Sequence, residues 1–143
     1  MRASPTSPPE QVVVDASAMV DLLARTSDRC SAVRARLART AMHAPAHFDA
    51  EVLSALGRMQ RAGALTVAYV DAALEELRQV PVTRHGLSSL LAGAWSRRDT
   101  LRLTDALYVE LAETAKDWHA PGPRLTPSAE SSGAWRKVGA PPC

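Results

Sequence analysis

The stretch Gln11-Val12-Val13-Val14-Asp15-Ala16-Ser17-Ala18-Met19 decides how this chain is read. Three consecutive β-branched residues follow polar, proline-containing sequence and precede a helix-compatible Ala-Met-Val-Asp-Leu-Leu run, the pattern of a short strand apolar on both faces. Such a strand belongs in the middle of a parallel sheet. Asp15 ends it, at the carboxyl edge where open α/β sheets bind ligands. Ser17 is expected to cap the following helix. A lone Asp15 has two readings, a turn or cap residue and a site residue, and acids brought beside it decide between them.

The 143-residue chain suits one domain, and 46% hydrophobic residues supply an ordinary core. A net charge of +2 does not by itself announce a nucleic-acid binder. Arginine carries almost all of the positive charge, since the only lysines are Lys116 and Lys137. Cys30 and Cys143 form no recognisable metal or disulfide spacing. Residues 1–11 are polar and rich in Pro and Ser, and are read as a flexible N-terminal segment without the apolar core of a signal peptide. No segment is long and apolar enough to span a bilayer, so a soluble cytoplasmic protein with no membrane role is expected.

Further along, Ser27 or Asp28 caps a helix running to about Thr40, with Arg29, Arg34, Arg36 and Arg39 around Ala32, Val33 and Leu37. Those arginines read either as phosphate contacts or as the solvated side of an amphipathic helix. Ala41 to Pro45 is a short strand. The helix beginning near His47 buries Val52, Ala55, Leu56 and Met59 and carries Glu51 in its first turn, where the helix dipole alone favours a carboxylate. After Gly63, Thr66 caps a helix with Val67, Val70, Leu74 and Leu77 as its buried stripe, forming a helical hairpin with its predecessor. Val80 to Val82 reads as a third strand, His85 as a loop or first-turn histidine, and Leu87, Leu90, Leu91 and Trp95 as the stripe of the next helix. Thr104 then caps a helix with Asp105 at its first position and Leu107, Leu111 and Ala115 along one side, beside Tyr108. Alternating strands and helices favour a parallel sheet with helices on both sides.

Three motifs carry a family likeness: Val-Val-Asp-Ala-Ser-Ala at 13–18, Phe-x-x-Glu-Val-Leu-x-Ala-Leu at 48–56, and Thr-Asp-Ala-Leu-Tyr-Val-x-Leu-Ala at 104–112. In this order and spacing they resemble the PIN-domain ribonucleases, and most of all the VapC toxins of bacterial toxin–antitoxin pairs. The resemblance implies a three-layer α/β/α fold over residues 12–116, with a short central parallel sheet flanked by helices. It implies that Asp15, Glu51 and Asp105 hold Mg²⁺ or Mn²⁺, with Ser17 orienting a ligand or bound water. Arg98 and Arg102 would steer RNA phosphates. Gathered carboxylates repel one another, and a hard divalent cation relieves that repulsion. The implied activity is Mg²⁺-dependent endonucleolytic cleavage of structured cellular RNA, of the transfer or ribosomal class, by a toxin held by a VapB-type antitoxin and working as a homodimer. The alternative is a catalytically impaired PIN domain that serves as an antitoxin-binding or RNA-binding module. An aspartyl-phosphate phosphatase built on Asp15 would need a second Asp where Ser17 stands.

Residues 117–143 depart from the family pattern. Proline and glycine between Pro121 and Pro127 oppose a central strand, and the expected Thr-x-Asp turn with a fourth acid is missing. One reading is a tail translated out of frame, because a one-base shift permits Gly-Leu-Ala near Lys116 and Thr-Thr-Asp near Pro123. The other is a tail as written, partly disordered and without the fourth acid.

Overall fold

The computed structural model describes residues 9–25, 29–117 and 136–138. Four strands form one parallel sheet in the order β3-β2-β1-β4: β1 (Glu10–Val14), β2 (Thr40–Pro45), β3 (Val82–His85) and β4 (Arg136–Val138). Helices α1 (Ala16–Ala24), α2 (Arg29–Leu37), α3 (Phe48–Arg61), α4 (Val67–Gln79), α5 (Leu91–Ser96) and α6 (Leu103–Thr114) surround it. Side chains alternate between the faces of a strand, so burial of Val12, Val13 and Val14 in succession requires cover on both sides of β1. This is the three-layer arrangement expected. No helix among the described residues is long and apolar enough to cross a membrane.

Strand β1 starts at Glu10, so Gln11 is a buried strand residue and the ordered sheet begins earlier than residue 12. The candidate caps Ser27 and Asp28 and the altered stretch after Asp117 lie outside the described residues, apart from the three-residue β4. That strand pairs with β1 at the sheet edge, beyond the Pro/Gly-rich stretch.

The third strand begins at Val82 rather than Val80, for a backbone reason. Val80 closes α4 by donating its N–H to Glu76 and Leu77 carbonyls at 3.1 and 3.3 Å, and Pro81 has no N–H to give a ladder. The shift puts His85 in the sheet instead of a loop. It also creates a buried polar chain across three strands. His43 Nε2 lies 2.8 Å from Gln11 Oε1, an atom that only accepts, so this nitrogen carries the proton and Nδ1 accepts from His85 Nε2 at 2.9 Å.

Helical phases also differ from the periodicity reading. Ser88–Leu90 is a 3-10 turn, which rotates the following helix so that Leu90 and Ala94 are buried while Leu91 and Trp95 stand 56% and 59% exposed. In α4 the buried stripe is Val70, Ala73 and Leu77, with Val67 exposed. The α3–α4 turn is a Schellman motif. Ala64 N–H reaches the Met59 carbonyl, Gly63 N–H reaches Gln60, and Gly63 supplies the required φ of 76°. Arg84 ties the hairpin to the sheet: its guanidinium grips Asp49 of α3 at 2.9 and 3.0 Å and donates to the Val82 carbonyl at 2.7 Å.

Two outcomes follow from these contacts. Arg84→Met is expected to lower the unfolding free energy by about 1–3 kcal/mol, as read from urea titration. His43, buried beside His85, has its pKa lowered to about 4, so the unfolded chain binds this proton more readily than the folded one. Stability contributed by neutral His43 is full above the unfolded value of about 6.5 and drains away as pH falls toward the folded one. The urea midpoint should drop between pH 7 and pH 5, and an unchanged midpoint would contradict this account.

Candidate active site

The chain runs β1, β2, β3 toward one edge of the sheet and then returns to place β4 on the other side of β1. That reversal is a topological switch point, and crevices form outside the carboxyl ends of strands there. Asp15 leaves β1 at this place. Its backbone is extended (φ −89°, ψ 160°), and its own Oδ1 accepts from Ala18 N–H at 3.1 Å and from the Ser17 hydroxyl at 2.5 Å. Asp15, not Ser17, is therefore the N-cap of α1, and Ser17 braces the cap from inside the first turn. Helix α6 begins two residues earlier than expected, with Arg102 at its N-cap, so Asp105 is its third residue rather than its first and Thr104 caps nothing.

Asp15, Glu51 and Asp105, drawn from β1, α3 and α6, line one cleft of about 390 Å³. Ser17 and Arg102 line it too. Arg98 does not. Its guanidinium lies 5.3 Å from the centre of the Trp95 ring and 3.6 Å from Asp99.

A family model for the PIN domain matches residues 12–117. Ribonuclease VapC12 of Mycobacterium tuberculosis is 34% identical over 102 residues, 71% of this chain and 78% of that one. The chain belongs to the PIN-domain family of VapC ribonucleases. Ribonuclease VapC1 of the same organism is 36% identical over 109 residues, covering 76% of this chain and 81% of its own. The crystal structure of Mycobacterium tuberculosis VapC20, a Sarcin-Ricin loop cleaving toxin, superposes with a TM-score of 0.55 at 15% identity over 72% of this chain and 82% of that one. At that identity the likeness speaks for the PIN fold alone.

Three further residues of this VapC-family cleft were not nominated by the sequence: Asp21, Arg58 and Tyr108. Each stands one or two helical turns from a nominated residue, Asp21 four after Ser17, Arg58 seven after Glu51 and Tyr108 three after Asp105. Helical spacing from those residues was the available signal. Tyr108 donates its hydroxyl to Glu51 Oε2 at 2.5 Å, while His47 Nε2 approaches the same oxygen to 3.4 Å without hydrogen-bond geometry. Burial, then the Glu51 carboxylate, pushes the Tyr108 phenol far above its ordinary range, which keeps it a neutral donor.

The donor set is all carboxylate oxygen, with two serine- and tyrosine-type hydroxyls, which suits a hard cation and not a thiophilic one. Among the described residues no three His, Cys, Asp or Glu side chains stand close enough to enclose an ion. Mg²⁺ does not require such a cage, because it keeps several waters and is held through one or two carboxylates. Burial raises the Asp21 carboxyl above its usual range, and the charge of Asp15 raises it further. Ionised Asp21 therefore destabilises the folded chain at neutral pH, and protonation removes the effect. Asp21→Asn should raise the urea midpoint at pH 7 and leave it unchanged at pH 3, and a fall at pH 7 would show Asp21 to be stabilising instead.

Proposed function

We propose that this VapC-family protein is a Mg²⁺- or Mn²⁺-dependent endoribonuclease toxin acting on structured cellular RNA of the transfer or ribosomal class. The observation that supports it is the convergence of Asp15, Glu51 and Asp105, far apart in sequence, on one cleft at the switch point of the sheet. When bound there, the cation lowers the pKa of a coordinated water and offsets charge developing on the attacked phosphodiester. Asp15, Glu51 and Asp105 are the residues that would hold it, directly or through water. Ser17, bonded to Asp15, orients that carboxylate or a water beside it. Arg58 and Arg102 line the same cleft and offer planar donor forks to the phosphates on either side of the scissile one. Single-stranded loops are the accessible targets, since their backbone can be splayed into a cleft.

A VapB-type antitoxin would hold the toxin by docking on the α3–α4 hairpin, where Leu53 and Val67 are exposed, and near the acidic cleft. A second copy of the chain, forming a homodimer, would cover the exposed Leu91, Trp95, Leu101 and Leu103 around α5 and the start of α6. The place of action is the cytoplasm.

The second reading, an impaired PIN domain that binds antitoxin or RNA without cutting, is favoured by one observation: the described acids do not close around an ion. Purified full-length protein separates the two. Mn²⁺-dependent cleavage of a structured RNA should fall on the order of 100-fold or more in Asp15→Asn, a substitution that keeps the helix cap. RNA binding with no cleavage under any divalent ion would establish the module instead. Binding to a single-stranded RNA gives an independent check. Arg58→Ala and Arg102→Ala should each reduce the salt slope of affinity by about 0.7, whereas Arg98→Ala, outside the cleft, should leave it unchanged.

A further inference from the structure

We infer that Tyr108 is a positioning residue for the acidic cleft, its buried hydroxyl fixing Glu51 relative to the start of α1 beside Asp15. The inference rests on the metal-dependent reading above and adds a residue that acts through Glu51 rather than on the substrate. A phenolic hydroxyl has one proton to give and lone pairs to receive. The proton goes to Glu51 Oε2 at 2.5 Å, and the backbone N–H of Ala16 faces the oxygen closely enough to favour its charged form. Ala16 is the first residue of α1, where an N–H has no partner within its own helix, so the tyrosine fills a vacancy that every helix start leaves. One oxygen atom therefore bonds α6 to α3 and faces the start of α1, beside the cleft that Asp15, Glu51 and Asp105 line.

The ring is held as firmly as the hydroxyl. Tyr108 is 2% exposed, and its ring meets the edge of His47 at 5.1 Å with the planes inclined by 64°. Asp105 lies one turn before it on α6, so the same rigid element presents one carboxylate to the cleft and pins another. Glu51 is otherwise a long side chain with rotamer freedom to lose on binding a cation. With Oε2 occupied by Tyr108, its other oxygen, Oε1, has no protein partner among the described residues. That is the arrangement of a carboxylate held ready to give one oxygen to an ion.

Mn²⁺ alone, titrated calorimetrically into the full chain, tests this. Tyr108→Phe keeps the ring and removes the hydroxyl, and Mn²⁺ affinity should fall by about 10- to 100-fold. In the Glu51→Gln background the same change should cost less than about 2-fold, because Tyr108 acts through Glu51. A merely structural role would give equal losses in both backgrounds and would overturn the inference, as would a Tyr108→Phe affinity equal to that of the unaltered chain. Ala16→Pro is a second variant that leaves the tyrosine in place. Proline is favoured at a first helical position and Asp15 already has the extended backbone it demands, so only the donated N–H is lost. A several-fold weakening supports the α1 arm of the contact, and no weakening removes it. An unaltered chain that takes up no Mn²⁺ would overturn the metal-dependent reading and this inference together, whereas binding sensitive to Glu51→Gln but not to Tyr108→Phe would overturn this inference alone.

Discussion

A strand buried on both faces cannot continue into a charged residue, and the structure is built around the place where β1 stops being apolar. Val14 has no exposed surface, and Asp15 follows it directly. The carboxylate is tolerable there because the chain turns at that residue into α1, whose first N–H groups are unsatisfied donors aimed back at it. Sheet, cap and cleft all issue from this single change of character between neighbouring residues.

The second constraint is electrostatic. Bringing Glu51, Asp105 and Asp21 near Asp15 accumulates charge of one sign, and the Asp21 pKa is raised first by burial and then by the charge of Asp15. Arg58 and Arg102 share the cleft, yet no ion pair among the described residues joins either of them to these acids.

Much of this was legible in the amino-acid sequence because it is local. The valine run and the alternation of strands and helices are short-range signals, and they located β1 and the layer order, while the gathering of Asp15, Glu51 and Asp105 was implied by the family resemblance of their three motifs. What was not legible depends on phase and on packing. A 3-10 turn before Leu91 moved the buried stripe of α5, and the spent N–H of Val80 together with Pro81 displaced β3, so the His43–His85 contact could not be foreseen from spacing. Arg58 and Tyr108 are ordinary members of amphipathic helices until α3 and α6 are laid against β1. Arg98, nominated beside Arg102, turned instead to the face of Trp95.

Placing Asp105 and Tyr108 on one unbroken helix also sets what lengths of chain the protein can tolerate. Residues 98–102 between α5 and α6 are exposed, and added residues there would be absorbed in solvent. One residue inserted between positions 105 and 108 would instead turn the two side chains by about 100° relative to each other, and no adjustment elsewhere in the helix could restore both. Among homologous chains, length variation should collect in the connection and be absent from that three-residue interval.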